Sequence, residues 1–283
     1  MEHPREDSVV IEAGMRGRLS LAYGCADDGQ TRLAHLEQVA PLRALFPLTA
    51  PGDIAQAAII TTSGGVVGGD RLDLTMVTHA HAQVQYVAQA AEKIYRSAGP
   101  DSHICVDLQA GPDSWLEYLP QETILFQGAR LRRRTRLFWG PQARILAGEM
   151  LVFGRTAMGE RFTRGLLHEE WQIWRENQLI WADRMRLQDD IAALLDAPAG
   201  GHGAQALATL VLACPSPSKH LPAVRQLLED QPHAAAGVVN EVLLIRWLAK
   251  DVPLLRQSFA TLWCHLRAAE AGLPAQLPRL WHI

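Results

Sequence analysis

The chain has 283 residues, a formal net charge of -3, 48% hydrophobic and 20% charged residues, and a mean hydropathy of -0.03, values ordinary for a globular protein. The near-neutral balance argues against a nucleic-acid binder, which shows a basic excess, and no apolar run approaches the roughly 18 residues that a membrane-spanning helix needs. The N-terminus carries Glu2, Glu6 and Asp7 where a signal peptide has a basic and then an apolar segment. Cys25, Cys105, Cys214 and Cys264 are far apart and form no CxxC pair. That spacing predicts buried free thiols, without a disulfide framework or structural zinc, in a reducing, cytoplasmic setting.

From about residue 8 to residue 190 the hydrophobic period is two. Leu19, Leu21 and Tyr23 alternate with small or polar residues before an Asp28-Gly29 turn. Leu72, Leu74 and Met76 repeat the pattern, as do Ala82, Val84, Tyr86 and Ala88, then Ile104, Val106 and Leu108, and later Trp171 and Ile173 with the stretch around Leu179 and Trp181. Ala98–Asp101, Gly111–Asp113, Gly140-Pro141 and Glu176-Asn177 punctuate these runs with turn chemistry. Many short, evenly spaced strands predict a mainly β, stacked or sandwich-like body. Beyond Ala197–Gly203, a loose connection, the texture changes. The pattern predicts a strand over Ala206–Ala213 and helices over Pro222–Glu229 and Val252–Ala271. In the second helix Leu255, Phe259, Leu262 and Leu266 share one face, with Asp251 as N-cap and Gly272 and Pro274 as the stop. The expected organisation is one domain over 1–283, β-rich over 8–190 and a strand plus helices over 204–283. No internal repeat stands out.

The most distinctive local sequence is Ser63-Gly64-Gly65-Val66-Val67-Gly68-Gly69-Asp70. A phosphate loop requires a Lys and a following helix; here Asp70 and an alternating strand follow. The glycines suit a tight corner between strands. Asp70 then either meets a cation or caps the turn through backbone N–H groups. No G-x-S-x-G elbow supports Ser63 as a nucleophile. His79 and His81 would share one face of a strand and could grip a metal, or simply mark a strand end at a turn. His202 and His220 sit in loop-like, solvent-exposed contexts, and His103, His168 and His265 are isolated. Arg130, Arg132, Arg134 and Arg136 fall on one face of a strand, with Leu131, Thr135, Leu137 and Arg133 opposite. That stripe is either a solvated face or a docking surface for an acidic partner.

These blocks also carry a family resemblance. The glycine-rich stretch resembles the GG-x-x-GGD signature of the urease accessory protein UreD (UreH) family: Gly64, Gly65, Gly68, Gly69 and Asp70. Gln89-Ala90-Ala91-Glu92-Lys93-Ile94-Tyr95-Arg96-Ser97 resembles its Q-A-A-T-K-V-Y-R-S block through Gln89, Lys93 and Tyr95. Leu116–Phe126 resembles its L-E-x-L-P-Q-E-x-I-x-F block, including Pro120 and Glu122. Gly154-Arg155-Thr156-Ala157-Met158-Gly159-Glu160 resembles G-R-x-A-x-G-E, and Pro278-Arg279-Leu280-Trp281 resembles the P-R-x-W ending. Thr62-Ser63, Val87-Ala88 and Glu92 depart from the family pattern. The resemblance implies a β-helix-like scaffold with a few C-terminal helices and no catalytic role. It implies binding to UreF and, through it, to the GTPase UreG, and delivery of nickel to apo-urease, with no tightly bound cofactor and Ni²⁺ only in transit. A passing ion is suited by carboxylate and water ligands, which makes Asp70, Glu149 and Glu160 the candidate transit ligands; alternatively Glu160 pairs with Arg155 or Arg161. The competing expectations are an all-β hydrolase using carboxylate catalysis and a metal-independent interaction module.

Overall fold

The computed structural model describes residues 14–282; the N-terminal acidic residues and the start of the expected β region lie outside the described residues. Seventeen strands run in order: β1 (Arg16–Cys25), β2 (Thr31–Val39), β3 (Leu42–Leu45), β4 (Ala55–Thr61), β5 (Arg71–Thr78), β6 (Gln83–Ala88), β7 (Glu92–Ile94), β8 (Ser102–Ala110), β9 (Trp115–Leu119), β10 (Thr123–Leu125), β11 (Arg130–Trp139), β12 (Arg144–Val152), β13 (Leu166–Arg175), β14 (Gln178–Gln188), β15 (Ala206–Ala213), β16 (Ala234–Val239) and β17 (Val242–Ala249). Helix α1 (Ile191–Asp196) follows β14, α2 (Leu221–Leu227) follows β15, and α3 (Val252–Ala271) follows β17.

The strands form two sheets. The outer sheet has the order β14-β13-β11-β8-β5-β1-β2, and the inner sheet runs β16-β17-β15-β12-β9-β6-β4-β3, with β7 and β10 attached through β12. From β4 to β13 the chain alternates between the sheets. Each pass stacks parallel on the one before, so that Gln83 lies opposite Trp115 and Trp115 opposite Arg144, while in the other sheet Leu72 lies opposite Ile104 and Ile104 opposite Arg133. This is a β-solenoid-like stack, in which each coil contacts only its neighbours. The coil repeat lies in backbone geometry and register, and it leaves no matching letters in the sequence. Antiparallel strands close both ends of both sheets: β2 and β14 for the outer sheet, β3 and the β15–β17–β16 meander for the inner one.

The period-two runs behave as the sequence predicts. Leu72, Leu74, Met76, Ile104, Val106 and Leu108 are buried between the sheets with Val84, Tyr86, Ile145 and Ala147. Ala206–Ala213 is a strand, and α3 spans the predicted residues, with Asp251 accepting from the Leu254 N–H at 2.9 Å and Gly272 in the left-handed region at φ 65°. Three elements were not anticipated: α1, and the β16–β17 hairpin. Its turn is Asn240-Glu241, both at positive φ, a demanding conformation for Glu that lacks the usual Asn-Gly signature.

The inner sheet is covered on both faces. One face meets the outer sheet, and the other carries Trp115, Leu146, Met150, Leu210 and Leu212 against Phe259, Leu262, Trp263 and Leu266 of α3. Gly148 of β12 makes room for that helix, since a Cβ there would stand 2.9 Å from Phe259 Cε2. With both faces dry, the strands read as near-continuous apolar runs, and any polar side chain among them requires a partner. Glu117, fully buried on the helix side, accepts from Arg267 Nε and Trp115 Nε1, each at 2.7 Å, and from Gln85 Nε2. Arg267 also pairs with Asp53. The C-terminal Trp281 is 3% exposed; it stacks on Phe259 at 6.0 Å between centroids and under Arg256 at 4.3 Å. The ending therefore packs on the β body. Arg267→Ala strands the Glu117 carboxylate without its cation and is expected to cost about 3–5 kcal/mol. Breaking the exposed Arg32–Asp28 pair by Arg32→Ala should leave stability nearly unchanged, because solvent screens such a pair. Urea unfolding of the two variants measures the contrast, and equal losses would contradict it.

Candidate functional site: a buried carboxylate cluster between the sheets

The row Leu131, Arg133, Thr135, Leu137 of β11 points into the space between the sheets, and so does Leu167, Glu169, Trp171, Ile173 of β13. Parallel pairing sets Arg133 beside Glu169 in register. Across the gap, β12 contributes Glu149 from the row that also holds Ile145, Ala147 and Leu151. The result is a charged cluster inside an apolar core. Arg133 Nε donates to Glu169 Oε1 at 3.0 Å and Oε2 at 2.9 Å, Nη1 donates to Thr123 Oγ1 of β10 at 2.8 Å, and Nη2 donates to Glu149 Oε2. Trp171 Nε1 holds the other Glu149 oxygen at 2.7 Å. Arg133 is 9% exposed, Glu149 4% and Glu169 3%.

Two carboxylates face one guanidinium, so one negative charge is left over in a dry place. Burial pushes the pKa of Glu169 well above its ordinary value, and the Glu149 charge pushes it further, against the pull of Arg133. Burial also raises Glu149. Such a site holds either a proton or a cation.

The cluster opens toward a cavity of about 190 Å³ lined by Thr61, Glu92, Lys93, Tyr118, Thr123 and Arg133. Glu92 of β7 accepts from Thr61 Oγ1 at 2.6 Å, and burial raises its pKa as well. Tyr118 is pushed up to about 12 by burial. The cavity thus spans from the Gly64-Gly65 corner to Arg133, the guanidinium that both carboxylates share, with Glu92 in its wall.

The three carboxylates singled out in the sequence share no hydrogen-bond partner. Glu149 belongs to the cluster. Asp70, 1% exposed, accepts from the backbone N–H of Met15 at 2.8 Å and of Val67 at 2.9 Å, which closes the glycine corner. Glu160 pairs with Arg155 and accepts from the Gln127 N–H at 3.1 Å. Arg133 and Glu169 escaped notice as site residues, although each interrupts an apolar row at period two, and that interruption was the available signal.

The other motif positions are joined by packing. Gly65 lies against Lys93 and Tyr95: a Cβ there would stand 2.7 Å from the Lys93 carbonyl oxygen, and the Tyr95 hydroxyl donates to the Gly64 carbonyl at 3.2 Å. A Cβ on Gly68 would stand 2.6 Å from the Pro100 carbonyl oxygen, and Gly69 has φ 93°. Gln89 is exposed, its N–H bonded to the Ile59 carbonyl at 3.3 Å. Gly154 turns the chain at φ 113° so that Arg155 lies 4.7 Å over the Phe126 ring. Arg256 of α3 binds Glu122 and the Trp281 carbonyl, and Gln121 donates to the Leu280 carbonyl at 2.9 Å. This brings the block around Pro120 against the ending Pro278-Arg279-Leu280-Trp281.

Several expectations are corrected. His79 and His81 mark the turn between β5 and β6, with His81 at φ 62°; of the two alternatives the sequence offered for them, the shared strand face does not form. His220 is 5% exposed, because it begins α2 beneath the end of α3 and bonds Glu270 at 2.7 Å. Of the four free cysteines only Cys214 is buried; Cys25 is exposed beside the first hairpin turn. The arginine stripe does occupy the outer face of β11, but Arg130 and Arg132 pair with Asp101 and Arg136 with Asp107.

The cluster has a pH signature. A carboxyl raised on folding stabilises fully below its unfolded value of 4.5 and loses that contribution as pH climbs through the folded value. Stability should therefore fall as pH rises above about 4.5, and Glu169→Gln should flatten the fall, ending more stable than wild type near pH 8. Urea midpoints across that range test this, and parallel curves for the two proteins would refute it.

The family described as UreD urease accessory protein matches residues 15–282. The chain is 43% identical over 276 residues to the urease accessory protein UreD of Magnetococcus marinus, covering 95% of each chain. It is 42% identical over 237 residues to that of Granulibacter bethesdensis, covering 84% of this chain and 99% of the relative. Against UreD of Methylobacterium sp. strain 4-46 the identity is 38% over 271 residues, covering 94% of each. With a match that runs from the first strand to the last turn, the chain belongs to the UreD family of urease accessory proteins.

Proposed function

We propose that this protein is a non-catalytic, cytoplasmic scaffold that carries Ni²⁺ toward apo-urease in a complex with UreF and the GTPase UreG. Membership of a urease accessory family supports a role in urease maturation. The observation that carries the nickel reading is the pairing of two buried carboxylates, Glu149 and Glu169, with one guanidinium, Arg133, which lines a cavity together with Glu92. Oxygen ligands of this kind hold a borderline cation loosely enough to release it. The absence of a phosphate-binding glycine loop agrees with a GTP site on a partner, since the glycine corner here closes on Asp70. Among the described residues no helix is long and apolar enough to cross a membrane.

The transit ligands in this reading are Glu149, Glu169 and Glu92. Asp70 and Glu160 serve their turns, because their carboxylates already accept backbone N–H groups. Reconstitution of apo-urease with UreF, UreG and limiting nickel provides the test. Glu149→Gln and Glu169→Gln should leave the complex with UreF intact while urease activation and the nickel delivered to urease fall about 10-fold or more. Full activation by the double variant would sink the transit role. Loss of the UreF complex in step with activation would instead favour a metal-independent interaction module.

A further inference from the structure

On the far side of the inner sheet, away from the cluster just described, three side chains of different chemistry converge. Cys214 directly follows β15, His220 stands where a short 3-10 turn over Pro217–His220 runs into α2, and Glu270 lies in the last turn of α3. Among the described residues this is the group of His, Cys, Asp and Glu whose ligand atoms meet: one atom from each lies within 4.8 Å of the others. Cys214 is fully buried and His220 is 5% exposed, and the Glu270 side chain is 6% exposed.

We propose that Cys214 Sγ, an imidazole nitrogen of His220 and a carboxylate oxygen of Glu270 form a binding site for one divalent transition cation of the Zn²⁺, Co²⁺ or Ni²⁺ type. A mixed sulfur, nitrogen and oxygen set suits such borderline ions and disfavours Mg²⁺ or Ca²⁺. Tetrahedral ligands at about 2.0–2.3 Å from a metal lie roughly 3.3–3.8 Å from one another, so side-chain adjustment within the 4.8 Å grouping suffices. The His220 Nε2–Glu270 Oε2 contact of 2.7 Å would open to admit the ion, and Lys219 Nζ, 2.8 Å from the same oxygen, would swing away. Lys219 is half exposed and free to do so. The thiol proton leaves to solvent as the ion binds. Entry is through a cavity of about 310 Å³ lined by Ser216, Lys219, Glu270, Arg144, Gln142 and Asp113. The fourth position is left to water, and an ion there would tie the end of α3 to β15 and α2. This site is independent of the transit role, because its ligands lie on the opposite side of the inner sheet from Glu149.

The test is titration of the full-length, chelator-treated protein with Co²⁺. The expected result is a thiolate-to-metal charge-transfer band in the near ultraviolet that saturates at one equivalent. Cys214→Ser should abolish the band, Glu270→Gln should weaken binding about 10-fold or more, and Cys264→Ser should change neither. Because Cys214 is fully buried, circular dichroism monitors folding of each variant. Should Cys214→Ser fail to fold, Glu270→Gln and His220→Gln decide through affinity and through loss of the thermal stabilisation that Zn²⁺ confers on wild type. No thiolate band in the folded wild type, or unchanged affinity in both Glu270→Gln and His220→Gln, would overturn the site and leave a hydrogen-bonded Lys219–Glu270–His220 triad.

Discussion

A sheet covered on both faces gives its side chains no access to bulk water, and this constraint shapes most of the protein. Each polar residue on the inner sheet must be matched inside the protein, and the cost of leaving a charge unmatched is several kcal/mol. On the helix side Glu117 is held by Arg267, Trp115 and Gln85, and the second carboxylate on Arg267, Asp53, stands nearer the surface at 11% exposed. On the side facing the outer sheet both carboxylates that share Arg133, Glu149 and Glu169, are buried. The same architecture thus produces a lock in one layer and a fully enclosed pair of carboxylates in the other. The lock sets the position of α3, and through Arg256 and Trp281 the position of the chain's end.

Solenoid stacking explains how the enclosed cluster is built. Parallel coils place residues that are distant in sequence at the same depth, so Arg133 and Glu169 become neighbours by register alone. Thr123 and Glu92 are paired in register in the same way through β10 and β7. The polar contacts thus follow successive coils inward from the glycine corner. The glycines contribute by permitting close approach, as Gly65 does where it lies on Lys93 and Tyr95.

Much of this was legible in the sequence. The strands of the β body announce themselves by alternation, α3 by its apolar face and its two caps, and the β15 strand by its length and flanks. What was hidden depends on tertiary pairing. Stacking order is fixed by register between coils whose letters do not repeat. The β16–β17 hairpin turns on Asn240-Glu241, a pair without the glycine that would have marked it. Arg133 read as a member of a basic run because four neighbouring arginines surround it, yet its place in the apolar row of β11 determined its role. Glu169 was masked in the same way by Glu170, which faces outward and pairs with Arg184. His220 reads as a loop residue in the sequence because its cover, the end of α3, is supplied by a segment far along the chain.

The antiparallel strands that close the stack have a further consequence. Among the described residues, the outer sheet ends at β2 and β14 and the main path of the inner sheet at β3 and β16, so these four strands keep an unpaired backbone edge. A second polypeptide that joined the body by donating a strand to one of them would do so at an end of the stack. At the β2 end it would meet Leu33, Leu36 and Val39, all exposed, interspersed with Arg32 and Glu37. The stack thus offers an addressable tip at each end, which gives an assembly formed through those edges a built-in axis.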